Sequence, residues 1–477
     1  MKKVFFYFPL LIVAIAFSFA ARAANAPAEA YNVSSGLNDQ ESVAVTVYNS
    51  DIGLIKDIRR LTLPSGLTEL RFGEVAAKIM PQTVHIKSLS PTNPIHVLEQ
   101  NYEYDLLTPR KLLDKFVGKE IMVLKDGAEV PITILSTNDG LVYKLGNRIF
   151  TGQPNNLIFP SIPSSLIAQP TLLWSLENRN VNAQKVEATY LTRGLNWKAD
   201  YVAVLDSKDK LLDLSGWVTL DNQSGATYQN ARLKLVAGDL NRVIEDYRAR
   251  DAVGGRMELA SKVASPAPFA EQSFFEYHLY SLQRPTTIKN QQTKQVSLLS
   301  AERIAVSKRY IFTGSPQYFH SRFAGVLPKQ KVGVFVELAN KKENNLGMPL
   351  PMGTLRIYKA DSDGSLQFIG EDRIDHTPKD ELIKIKMGNA FDVVAERKQT
   401  DWRKIADNIY EAAFEISLRN HKDEPVTVSV IEPMLRDWDL LTSSHTHKKV
   451  EAFTAQFEIP VAKDGETKLT YRVRYKI

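Results

Sequence analysis

The sequence predicts a mostly β protein: several antiparallel β-sandwich-like modules, a small SH3-like barrel inserted among them, and little helix. Three observations carry this. Apolar residues recur with period two along many short runs. Asn, Gly and Pro punctuate those runs. The apolar face of several runs also ends, in phase, on an asparagine. In SGWVTLDN, Val218 and Leu220 lead to Asn222, and the same ending recurs in VAVTVYN at Asn49, VGVFVELAN at Asn340 and FEISLRN at Asn420. An asparagine at a strand end bonds backbone two residues on and tolerates positive φ, so it closes the rim of a core. The competing reading, an asparagine ligand set, requires these distant residues to converge.

The chain of 477 residues, 44% hydrophobic, is long enough for several cores. It opens on a basic MKK, an apolar VFFYFPLLIVAIAFSFA and the small-x-small site Ala21-Arg22-Ala23. This reads as a signal peptide over 1–23, leaving no membrane span after cleavage and placing the mature protein in the bacterial periplasm or outside the cell. A cut after Ala26 would put Pro27 directly beyond it, and an uncleaved anchor would need a longer apolar run. The formal charge is +6; losing Lys2, Lys3 and Arg22 leaves 6 − 3 = +3. No basic run carries interleaved aromatics, so nucleic acid is not an expected partner. The cysteine count is zero. Disulfides, thiol nucleophiles, Cys-ligated zinc and lipoprotein acylation are thereby excluded.

In chain order, residues 31–104 read as an N-terminal β module. Within 105–165, Thr108 is an N-cap, Pro109 a first-turn residue, and Leu112, Leu113, Phe116 and Val117 form one helix face ended by Gly118. Short strands joined by KDG and NDG turns follow, giving the SH3-like barrel. Residues 166–248 read as a sandwich module. There WKADYVAVLD and LLDLSGWVTLDN form a hairpin across SKDK, with Leu212, Leu214, Gly216, Val218 and Leu220 on one face. The Gly-, Ala-, Ser- and Pro-rich stretch 249–274 reads as a linker or long loop. GTLRIYKA, PVTVSVIE, AFTAQFEI and TYRVRYKI supply strands to the C-terminal module or modules, 275–477.

Motifs for chemistry are sparse. There is no G-x-S-x-G, H-E-x-x-H, P-loop or dinucleotide fingerprint, and nothing calls for a cofactor. The best binding candidate is FFEYHLYSLQR. As a strand it places Phe275, Tyr277 and Leu279 on one face and Glu276, His278 and Tyr280 on the other, with Arg284 beyond. Tyr277, His278, Tyr280 and Arg284 would make a platform for sugar or peptide. The alternative is a strand buried on both faces with His278 hydrogen-bonded inside. His445 and His447 have metal-ligand spacing but no third ligand. Glu371, Asp372, Asp375, His376, Asp380 and Glu381 form an acidic run that reads as a solvated loop, and Asp361 and Asp363 read as a hairpin turn.

YLTRGLNWKADYVAVLD, LDLSGWVTLDNQSGATYQNARLKLVAGD, EYHLYSLQRPTTIKNQQTKQV, GTLRIYKADSDGSLQFIGEDRIDHTP and GNAFDVVAERKQTDW resemble an exported bacterial family defined by a domain of unknown function. Its C-terminal domain is shared with mucoidy-inhibitor-like proteins. The resemblance implies export and a β-sandwich body, and it brings no reaction, ligand or catalytic residue. Two functions follow as expectations. One is a non-enzymatic envelope protein that binds or scaffolds an envelope protein or glycan. The other is a hydrolase of envelope polysaccharide or peptide, using carboxylates from separate loops.

Overall fold

The computed structural model describes residues 30–154, 156–163, 165–238, 269–323 and 330–476. The expected leader, 1–23, and residues 249–268 of the expected linker lie outside them. The rest of that stretch is not loop: Phe269–Phe274 is a strand.

The period-two faces become sheets. In the first, the order is Tyr31–Ser35, Gly66–Gly73, Thr171–Asn178, Ile95–Glu103. In the second it is Phe269–Phe274, Tyr277–Leu282, Tyr228–Ala237, Gln40–Tyr48, Ile52–Leu61, Gln184–Thr192, His85–Ser88. Leu70, Phe72 and Trp174 of the first share one core with Val45, Val186 and Tyr190 of the second, which makes a sandwich. Arg59 is buried within it. Its guanidinium lies 3.5 Å from the centre of the Phe72 ring, pairs with Asp57 at 2.9 Å and donates to the Ser35 and Gly73 carbonyls.

The inserted unit has the expected helix, Pro109–Lys115, whose Lys111 N–H donates to Thr108 Oγ1. Five strands follow in the order Arg148–Thr151, Val142–Leu145, Ala128–Ser136, Glu120–Lys125, Leu157–Ile158. Lys125 pairs with Ala128 across Asp126 and Gly127, both at positive φ, the geometry of the expected two-residue turn. This sheet stays open. Its edges, a two-residue strand and a strand with all four residues exposed, do not pair, so no barrel closes.

The longest sheet has a path of Leu366–Ile374, Gly353–Ala360, Leu195–Leu205, Leu211–Asn222, Gln292–Thr313, Gln330–Ala339, Leu382–Ala406, Ile409–Asn420, Gly465–Lys476, Trp438–Ser443. Its first part curls on itself. Leu366–Ile374 comes back beside Leu382–Ala406, where the Lys386 N–H donates to Asp372 Oδ2 at 2.8 Å instead of joining a ladder. Three of its strands run through two cores. Leu298 and Ile304, Val336 and Leu338, and Ile383 and Ile385 lie in the core shared with the sandwich. Further along the same strands, Tyr310 and Phe312, Val332, and Val393 and Ala395 lie in a second core with Phe414, Val430, Phe457 and Tyr471. Pairing shifts register around Gly333 and Val334, where the strands pass between cores. The terminal strand is no free edge, being paired on both sides. Among the described residues, no helix is long and apolar enough to cross a membrane.

The strand-end asparagines answer to their placement. Asn222, fully buried, donates to the Ala226, Ile288 and Lys289 carbonyls and accepts from the Ser224 N–H. Asn420 donates to Glu424 and Ala462 and accepts from Lys422; Asn340 donates to Met348 and Pro378 and accepts from Gly347. Asn178, which the sequence reading passed over, is a further member, donating to Leu63, Pro64 and Asn180. Asn49 is only half-buried, in a turn. Replacing Asn222 or Asn420 with Ala removes a fully buried amide that ties two or three rim carbonyls and costs about 1–3 kcal/mol. Asn49→Ala costs less than about 0.5 kcal/mol. Urea midpoints compare them, and equal losses would remove the latch role.

The second core encloses a guanidinium. Arg397 and Glu432 are both fully buried and bidentately paired, Tyr471 donates to Glu432 at 2.9 Å, and the rings of Phe312, Tyr318 and Phe414 surround Arg397. Burial works against the charge on Arg397, but Glu432 outweighs it and raises the pKa. Gly314 leaves the necessary room: a Cβ there would meet both charged groups within 3 Å. Glu432→Gln leaves an unpaired buried cation and destabilises by about 3–5 kcal/mol. Joint replacement by Arg397→Met and Glu432→Leu returns most of that in the same urea titration, and a double variant as weak as the single one would contradict this account.

Candidate functional site

The segment singled out from sequence is a hairpin, Phe269–Phe274 with Tyr277–Leu282. Because Phe274 pairs with Tyr277, Phe275 and Glu276 form the turn. Phe275 therefore does not share a strand face with Tyr277 and Leu279. It sits at φ 57°, in the left-handed region that a side chain bearing Cβ enters at a cost, and is 81% exposed beside the exposed Phe274.

The four predicted residues fall in different environments. Tyr277 is half-buried, its ring 6.0 Å from Phe275. His278 Nδ1 lies 2.8 Å from Glu271 Oε1 on the neighbouring strand. Tyr280 is fully buried, its hydroxyl donating to the Pro349 carbonyl and its ring against Trp197; burial raises its pKa. Arg284 is exposed beyond the strand end. Leu279 is buried on one face and Tyr280 on the other, but Tyr277 and His278 stay half-buried, so His278 is not enclosed as the alternative reading of this segment has it.

The other candidates separate likewise. His445 is half-buried against Ser444, while His447, which is exposed, has its ring near Trp438 and Phe457. Among the described residues, no group of three His, Cys, Asp or Glu is placed to hold a metal. In the acidic run, Glu371 pairs with Arg356 and Asp372 accepts from Lys386. His376 Nδ1 accepts from Met352. Asp361 caps its hairpin turn by accepting from the Asp363 and Ser365 N–H groups.

A site that sequence did not reveal lies at the waist where the long strands change cores. Leu205, Val334, Val336, Ile369 and Met387 wall a cavity of about 260 Å³. Lys308 and Lys359 rim it and converge on the carboxylate of Asp209, Lys308 at 2.8 Å. Burial alone would raise the pKa of Asp209, but the two ammonium groups outweigh it and hold the carboxyl below its usual range. Burial likewise works against Lys308, whose pKa is nonetheless raised, chiefly by Asp209. Asp209 stands in the tight turn after Leu195–Leu205, Lys308 on Gln292–Thr313 and Lys359 on Gly353–Ala360. No local spacing joins them.

No protein-family model matches the chain, and no curated protein matches its sequence.

The turn supplies a direct test of strain. Phe275→Gly relieves the left-handed conformation and stabilises the protein by about 0.5–1 kcal/mol, read as a higher thermal midpoint. A lowered midpoint would mean that the ring contributes packing that outweighs the strain.

Proposed function

We propose that the chain is an exported, non-enzymatic binding or scaffolding protein of the bacterial cell envelope, with an envelope protein or glycan as partner. The leader-like N-terminus and the likeness to an exported family support the compartment. One observation carries the binding reading over the hydrolase. The waist cavity is walled by aliphatic side chains and holds a single carboxylate, already committed to two lysines. Retaining and inverting glycosidases instead need paired carboxyls about 5–10 Å apart, one of them kept protonated.

The carboxyls that the fold perturbs agree with this choice. Glu41, Asp105, Glu187, Asp209, Asp401 and Glu411 are all moved downward, each held by Lys or Arg; Asp206 is moved downward chiefly by the Leu211 N–H, and Asp363 by Asp361 and Ser365 in its turn. Groups so shifted suit electrostatic ties between strands rather than proton donation near neutral pH.

The test uses the immobilised mature chain and isolated envelopes. The expected result is stoichiometric retention of a protein or glycan with no soluble fragments released. Release of fragments that a single Asp→Asn or Glu→Gln variant abolishes would overturn the reading in favour of the hydrolase.

A further inference from the structure

The waist cavity has a composition that neither a purely apolar nor a purely charged ligand would satisfy. Its walls are aliphatic, and its rim carries two ammonium groups against one carboxylate, an excess of one positive charge. Each ammonium has three N–H donors, of which Asp209 takes one from each. Lys308 also lies 5.7 Å from the Tyr310 ring, which steadies the ammonium without neutralising it. A volume of about 260 Å³ equals roughly nine waters at ~30 Å³ each, room for a ligand of roughly nine heavy atoms. The cavity lies where one core gives way to the next, a frequent position for small-molecule sites.

We propose that this cavity binds a small amphipathic anion: a carboxylate head bridging Lys308 and Lys359, with a short acyl chain against Val334, Val336, Ile369 and Met387. The assignment rests on the binding reading above and adds a small-molecule ligand to the protein or glycan partner named there. A bare anion would leave the aliphatic walls wet. An uncharged chain would cover them but leave the excess cationic charge uncompensated.

Hexanoate, acetate and hexanol are the probes, titrated calorimetrically into the mature chain at low ionic strength. Hexanoate is expected to bind at least tenfold more tightly than either of the others. Lys308→Gln and Lys359→Gln each weaken hexanoate about tenfold and leave hexanol unchanged. Lys384→Gln, at a lysine paired with Glu337 outside the cavity, changes neither. Hexanol matching hexanoate, or no binding of hexanoate at all, overturns the proposal on the unaltered protein, so the result does not depend on how the variants fold. An equal loss in Lys384→Gln overturns it too. If hexanoate fails while envelope capture persists, the ligand class falls and the binding function stands; loss of both removes the two together.

Discussion

Three strands belong to two cores at once, and the rest of the architecture follows from that constraint. Gln292–Thr313, Gln330–Ala339 and Leu382–Ala406 bury one set of side chains against the first sandwich and the next set against the C-terminal one. A single hydrogen-bonded ladder cannot serve two cores without a change in twist, because one residue of slip sends every side chain to the opposite face. The register shifts around Gly333 and Val334, with Gly388 at positive φ on the neighbouring strand, make that change. The same irregularity opens the space at the waist. The cavity is thus a by-product of joining two sheets through continuous strands, and its lysines come from strands that the joint brings together.

Much of this was legible. Period-two alternation assigned the faces: Val218, Val336 and Ile416, taken as inward from sequence, are 0%, 2% and 0% exposed. The helix at Pro109, the turn at Asp126-Gly127 and the hairpin across SKDK were readable because each depends on residues within a few positions of one another. Strand-end asparagines were readable for a related reason, since three of the four expected members end buried apolar faces. Asn49 shows the limit of the pattern, because its strand ends in a turn that the core does not cover.

What stayed hidden depends on distant partners. Arg59 has its carboxylate, Asp57, two residues away on the same strand, but the Phe72 ring that covers it comes from another sheet. Arg397 takes both its carboxylate and its rings from distant segments. Asp209, Lys308 and Lys359 are ordinary charged residues in three separate runs. The hairpin at Phe275 was misplaced for a different reason: alternation extended the strand through residues that the chain uses to reverse direction. A phenylalanine is a poor turn residue, so its side chain gave no warning. An exposed aromatic kept where glycine would be at ease is the kind of local conflict that gathers at working surfaces.

The enclosed guanidinium also says something about the order in which this polypeptide can mature. Arg397 precedes Glu432 in the chain, so whether emerging from a ribosome or threading through a membrane pore, it arrives without the group that neutralises it. Until the later segment appears, the far half of its strand has nowhere dry to lodge a positive charge. The second hydrophobic interior is therefore sealed only after Glu432 and the strands that follow it have been delivered.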